Sequence, residues 1–322
     1  MEGFSAMPRF DITIAGELNL DLILYGLPEN LPPERELLAA DMSMTLGSSS
    51  AIVAHNVAAL GANVGFTSCV GDDDFGRIAS ERLRAIGVDV STVIKKDPPA
   101  KTGLTVILPR SGWRNILTYS GTISELNPEN LDFAFLASSR HFHLSSYFLQ
   151  TNLQPAIPDL LRRLKAAGLT ISLDTNDDPA DQWQSGISRV LPLIDVFLPN
   201  EREAIKITGA SNLEQALDEL SKVVPLVVVK LGSKGALAVR GDERVTSPSF
   251  PVECVDPVGA GDSFDAGFLR AFVQDRDLQE CLRCGNLAGA LSVTRPGGTE
   301  AFRDSLHRER FLSDHAKVAS RR

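Results

Sequence analysis

At 322 residues, 43% of them hydrophobic, the chain has enough apolar content to bury a substantial core, and its length is a soft prior for two domains' worth of polypeptide. Lys and Arg number 32 against 41 Asp and Glu; the formal charge of -9 opposes the counterion release that drives nonspecific nucleic-acid binding, so no nucleic-acid partner is expected. The N-terminal MEGFSAMPRF lacks the basic-then-apolar pattern of a signal peptide and no long uncharged apolar run occurs, so the expectation is a cytoplasmic protein with no membrane partner.

In chain order, six short apolar runs read as strands: FDITIAG, VGFTSCVG, HFHLSS, LTISLDT, DVFLPN and PLVVVKLG. Helical periodicity occupies Ser49 to Leu60, Phe75 to Ile86, Leu153 to Ala167 and Glu201 to Ile207 between them. Strands that alternate with helices, and are apolar enough to be covered on both faces, predict an α/β fold with a mostly parallel sheet. Two stretches break the alternation. Residues 18–46 and 101–123 read as β-rich excursions, the second a hairpin about Arg110 to Gly112; they either cover one end of the sheet or extend its edges. Cys281 and Cys284 form a lone CxxC in a segment with helical spacing, and a zinc site needs four ligands, so they read as buried thiols. His141 and His143 alternate as strand residues and show no metal-binding spacing.

Polar groups follow the strand ends: Glu17, Asn19 and Asp21; Asp72 to Asp74; Asp174 and Asn176; Asn200, Glu201 and Glu203; and Gly232. In an open parallel sheet the ligand crevice lies outside the carboxyl ends of the strands, so these groups are expected to converge. The strongest local signal is ECVDPVGAGDSFDAGF at residues 253–268. It is not a P-loop, because no GxxxxGK[ST] occurs, and it is not a dinucleotide fingerprint, because Phe264 stands where the third glycine belongs. What remains is a loop from Val255 to Gly261 feeding a helix from Asp262 to Val273. Gly259 and Gly261 let the backbone turn its N–H groups onto an anion, and the helix N-terminus adds partial positive charge. That same charge is expected to lower the pKa of Asp262 and keep it ionised, able to take a proton from an incoming hydroxyl beside a bound phosphoryl group. Asp265, one turn further, reads as structural.

The stretch DPVGAGDSFDAGF resembles the C-terminal signature of the ribokinase-like (PfkB) carbohydrate kinase family, and the likeness runs from about residue 9 to 300. GELNLD resembles the N-terminal sugar-binding strand, LGSSSAIVAHNVAALG the first glycine-rich signature, and VGDDDFG the turn that follows. TGLTVIL is similar to a lid strand, LDTN to the DxN motif, NEREA to NxxE, and VVVKLGSKGA to the nucleotide-side strand and turn. The resemblance implies a three-layer α/β/α sandwich with a small β lid. Residues 1–17, 47–100 and 124–322 would be the main body, and 18–46 and 101–123 a discontinuous lid that pairs two copies in many relatives. It implies ATP-dependent phosphoryl transfer to a hydroxyl of a small sugar or nucleoside, with Asp262 as general base and the backbone of Gly259, Ala260 and Gly261 as the anion hole. Asn200 and Glu203 would hold Mg2+ against the ATP phosphates, Glu203 partly through water. Gly232 would lie beside those phosphates and Asn286 near the adenine. Asn19 and Asp21, helped by Gly47, Ser48 and Ser49, would bind the acceptor hydroxyls, and Asp256 is a candidate ligand for K+.

Departures from the family pattern sharpen the expectation. Ser48 and Ile52 replace a Gly and an Asn of the opening GGxxxN, Pro257 replaces the usual Thr, and Asp178 stands where DxNxR has its Arg. A carboxylate there is expected to repel an acidic acceptor and favour a neutral one, unless Arg114 arrives from the lid. The alternatives are a kinase for a sugar acid or sugar phosphate, and a noncatalytic sugar- or nucleotide-binding member of the same fold.

Overall fold

The computed structural model describes residues 8–110 and 113–319, the side chains of 316–319 excepted. Strand β1 (Phe10–Ala15) opens the main sheet, and β2 (Leu20–Tyr25) and β3 (Asp41–Leu46) leave it for a second sheet. Helix α1 (Ser49–Ala59) and β4 (Val64–Thr67) return to the body, and β5 (Cys69–Gly71) and β6 (Ile94–Lys96) pair across α2 (Asp74–Ala85). The second sheet is completed by β7 (Leu104–Pro109) and β8 (Arg114–Tyr119). There follow α3 (Phe133–Leu136), β9 (Ser139–Ser145), α4 (Ile157–Ala166), β10 (Thr170–Asp174), β11 (Val196–Phe197), α5 (Glu201–Thr208), α6 (Leu213–Leu220) and β12 (Leu226–Lys230). The chain ends with the hairpin β13 (Ala236–Arg240) and β14 (Glu243–Ser247), then α7 (Ala260–Phe272), α8 (Leu278–Ser292), α9 (Glu300–Arg303) and α10 (Ser305–Ala319).

The main sheet runs β14-β13-β12-β11-β10-β9-β1-β4, parallel from β4 through β12 and antiparallel over the last two strands. Its central strands are buried on both faces, as their largely apolar composition requires: Val227, Phe142 and Leu173 face a core with α4, α5 and α6, while Val228, Ile12 and Ile14 face one with α1, α2, α7 and α8. Helices therefore cover both sides, the α/β/α sandwich that the resemblance implies. Helix α4 buries Ile157, Leu160, Leu161 and Leu164, the spacing of one apolar stripe, and carries Pro158 second in its first turn, where a missing N–H costs nothing. Gly267 lets α8 approach α7 closely, since a methyl there would lie 2.3 Å from the Cys284 carbonyl oxygen.

Sequence and structure differ in places that have local causes. VGFTSCVG is two strands, because the chain changes partner from β1 to β6 at Ser68. DVFLPN pairs over only two residues before Pro199, which has no N–H to continue the ladder; its carbonyl still accepts from Lys230 N at 2.9 Å. The hairpin β13–β14 lies in a region from which the hydrophobic pattern drew no strand.

The excursions form one four-stranded sheet, β3-β2-β7-β8. Residues 26–40, which carry Pro28, Pro32 and Pro33, contain no strand. Ser111 and Gly112 of the expected turn lie outside the described residues, but β7 and β8 pair antiparallel and Arg110 N donates to Trp113 O at 2.8 Å, closing the hairpin. Asp21 stands opposite Thr105, and Thr105 opposite Thr118. By strand alternation Asp21, Ile23, Thr105, Ile107, Arg114 and Thr118 share a face, and Ile23 and Ile107 of that face pack on Val258, in the loop before α7. The second sheet thus leans over the carboxyl ends of the main strands. No helix among the described residues is long and apolar enough to cross a membrane.

Candidate active site

Helix α7 begins two residues earlier than its apolar spacing indicates, at Ala260, with Gly259 as its N-cap in the left-handed region at φ 71°. Only glycine takes that conformation without strain, and no side chain fits: a Cβ would lie 2.5 Å from the Gly298 backbone. No side chain caps this helix. Ala260 N donates to Pro257 O at 3.3 Å, whereas the N–H groups of Gly259, Gly261 and Asp262 have no acceptor among the described residues. Beside Gly261 there is room, since its nearest prospective neighbour is the Lys230 ammonium at 3.6 Å.

Asp262 lies in the first turn of α7, and its pKa moves the opposite way from the sequence-based expectation. Burial pushes the carboxyl up to about 6, with Asp174 adding to the rise and Lys230 and Ser49 opposing it. The helix N-terminus offers partial charge only; loss of water outweighs it. A base near 6 is still ionised at neutral pH and better matched to accepting a proton than one near 4.

Behind Asp262 lies a charged cluster. Lys230 Nζ, at the end of β12, is 2.6 Å from Asp174 Oδ2 and 3.1 Å from Asp265 Oδ2, both carboxylates being fully buried. Asp174 is held below the usual carboxylate range even though burial, the largest influence on it, works the other way; Lys230 leads the opposing causes. Asp265 is driven well above that range by burial. Asp265 is thus structural in that it packs against the Lys230 ammonium and Asp174, and through them it belongs to the site.

On one side of α7, Gly47 fits between two side chains: a Cβ would lie 2.1 Å from Asp21 Oδ1 and 2.7 Å from Asn19 Nδ2. Asn19 Nδ2 reaches Thr105 Oγ1 at 3.5 Å. Burial, then the charges of Asp262 and Asp256, raise Asp21 to about 7, while Thr105 and the Arg114 guanidinium work against the rise. Ser48, at φ 65°, donates to Glu17 O at 2.6 Å, and Ser49 opens α1. Glu17 fastens this corner: its carboxylate accepts from Ser50 N, Ser50 Oγ, Ser146 Oγ and Gln150 Nε2 at 2.7–3.3 Å.

On the other side, Asn200 and Glu203 form a capping box on α5: Asn200 Oδ1 accepts from Glu203 N at 3.0 Å and Glu203 Oε2 from Asn200 N at 2.9 Å. Burial, with Asp174 next, raises Glu203 to about 7. A carboxyl so short of positive charge suits a cation. Among the described residues no three His, Cys, Asp or Glu side chains are grouped to cage one, so a metal here would be shared with substrate oxygens and water, the habit of Mg2+. Gly232 is at φ 59° with open space where a side chain would be, and the Asn286 amide donates to Ser247 O at 3.0 Å.

Three further groups are accounted for locally. Asp256 braces its loop, accepting from Val258 N at 3.0 Å, Gly297 N at 2.9 Å and Tyr25 Oη at 3.4 Å. Asp178 is buried in its own turn, where its carboxylate accepts from the N–H groups of Ala180, Gln182 and Trp183 at 2.7–3.0 Å. Asp73 does not join the site either: it caps α2 and ties down Thr102 N. Cys281 and Cys284 are free thiols, with burial pushing them up to about 12 and 11.

A model of the pfkB family carbohydrate kinases matches residues 9–304. The chain belongs to this family. It is 28% identical over 319 residues to a ribokinase of Haemophilus influenzae, covering 96% of this chain and 100% of the relative. It is 30% identical over 291 residues to an ATP-dependent ribose-1-phosphate kinase of Halopiger xanaduensis, covering 89% and 93%. An E. coli protein solved with ATP and Mg2+ has a TM-score of 0.81 and 28% identity to it, over 95% of this chain and 99% of that one. For a sugar or nucleoside kinase of the pfkB family, one group, Lys230, is not marked by any motif: it announces itself only as a charge ending an otherwise apolar strand. Arg114, expected from the lid, shares the face of Asp21 through the register of β8.

Proposed function

We propose that this pfkB kinase transfers the γ-phosphoryl group of ATP to a hydroxyl of a small sugar or nucleoside, with Asp262 as the general base. The observation that carries the proposal is the N-terminus of α7: a buried carboxyl near pKa 6 lies within one turn of the unengaged N–H groups of Gly259 and Gly261. In this reading Asn19, Asp21 and Gly47, with Ser48 and Ser49, orient the acceptor so that its hydroxyl meets Asp262. Gly259 and Gly261 receive the transferring phosphoryl group, and Ala260 holds the turn. Mg2+ bound with the nucleotide would neutralise phosphate charge; Asn200 and Glu203 are the residues to hold it, Gly232 borders the phosphates and Asn286 the adenine. Asp256 is the residue for K+, and its loop-bracing bonds predict a weak dependence. The lid is the second sheet, and its outer face exposes Met42, Leu117 and Tyr119, a surface suited to pairing with a second copy.

A neutral acceptor follows from the ribokinase likeness. A second reading, an acceptor carrying a carboxylate or phosphate, is favoured by Arg114, which shares the face of Asp21 and whose charge is felt there. ADP release measured over neutral sugars, sugar acids, sugar phosphates and nucleosides decides between them. Asp262→Asn should lower turnover by about 10² to 10⁴ on the best acceptor; near-wild-type turnover would remove the base assignment.

A further inference from the structure

Four carboxyl groups from three elements crowd the end of the sheet: Asp174 from β10, Glu203 from α5, and Asp262 and Asp265 from α7. A single cation, Lys230, is set among them, within 3.2 Å of both Asp174 and Asp265. Fold stability alone does not call for such a cluster, because a buried ion pair gains little over apolar side chains of the same shape. Its place is informative: the ammonium lies 3.6 Å from where a Gly261 side chain would begin, next to the residue that precedes Asp262. We propose that Lys230 is a positioning residue for phosphoryl transfer, the fixed counter-charge that keeps the Asp262 carboxylate ionised and turned to the acceptor hydroxyl. The proposal rests on the assignment of Asp262 as base.

The charges that bear on Asp262 come from every side: Asp174 and Glu17 from strand ends, Asp21 from the second sheet, Glu203 from α5 and Asp265 from its own helix. All are acidic; against them stand the Lys230 ammonium and a Ser49 hydrogen bond at Asp262, and the more distant Arg114 guanidinium at Asp21. Removing it should move the ionisation of Asp262 upward by about one to three pH units.

The test compares kcat, acceptor KM and the acid limb of kcat/KM against pH for the wild type, Lys230→Met, Lys230→Arg and the double variant Lys230→Met with Asp265→Asn. Lys230→Met should lose about 10²-fold in kcat at pH 7 with acceptor KM changed less than about threefold, and its acid limb should rise by about one unit or more. Lys230→Arg should keep the limb in place. The double variant, which removes one buried acid along with the cation, should recover about tenfold; it also keeps the test valid if the single variant folds poorly, as circular dichroism will show. An acid limb unmoved in both Met variants overturns the proposal. The base assignment fails separately, if Asp262→Asn turns over normally.

Discussion

Two helices start at the same rim of the sheet, and they start differently. Helix α5 is closed by its own side chains, Asn200 and Glu203 each accepting the other's backbone N–H. Helix α7 has an acidic residue in its first turn as well, but its cap is a left-handed glycine, and the N–H groups of Gly259, Gly261 and Asp262 meet no acceptor among the described residues. The same physics, unpaired donors at a helix start, is settled internally in one case and left open in the other. The proposed anion site is the N-terminus from which the chain withholds its own cap.

The largest effect that can break this comparison comes from the cap itself. Gly259→Ala places a methyl 2.5 Å from the Gly298 backbone at φ 71°, so it should lose about 10²-fold or more in kcat/KM and also destabilise the fold by about 1–3 kcal/mol. Gly261→Ala meets only Lys230, at 3.6 Å, and should keep its thermal stability while losing activity. Equal, small losses in both variants would mean that the α7 turn holds no transferring group.

The pH dependence sharpens the contrast. Because burial raises Asp262 to about 6, kcat/KM should fall about tenfold per unit below that value as the base takes its proton. The stability term has the opposite sign. With the folded pKa above the unfolded value of 3.8, protonation favours the fold, so this contribution is full below 3.8 and lost as pH rises through 6. Asp262→Asn should thus raise the melting temperature at pH 8 while it abolishes turnover; a melting temperature lowered at pH 8 would contradict a destabilised carboxylate.

How much of this was legible in the sequence depends on how local the signal is. The mostly parallel sheet could be read because short, largely apolar strands alternate with helices, and the glycine turn because GAGD is a local signal. The pKa of Asp262 was misjudged, since first-turn position is visible in a sequence and burial at the junction of two sheets is not. The surroundings of Asp178 were hidden for a related reason: its place in a motif is linear, whereas its partners, the N–H groups of Ala180, Gln182 and Trp183, depend on how the turn closes. Lys230 stayed hidden because its partners lie 56 and 35 residues away in sequence.

The smallest expected effect falls on the helix that caps itself. NEREA carries two readings at once, since Asn followed three residues later by Glu is a capping box as well as a family motif, and both can hold for one pair of side chains. Asn200→Ala removes the acceptor for Glu203 N and should cost about 1 kcal/mol of stability, a fall of about 2–4 °C in melting temperature. Because Glu203 keeps its place in the buried cluster beside Asp174, turnover at saturating ATP and Mg2+ should drop by less than about tenfold, against the far larger loss at Asp262. If instead Asn200→Ala left stability untouched and removed turnover, α5 would be the helix that serves the ligand first, and the division of labour between the two N-termini would have to be reversed.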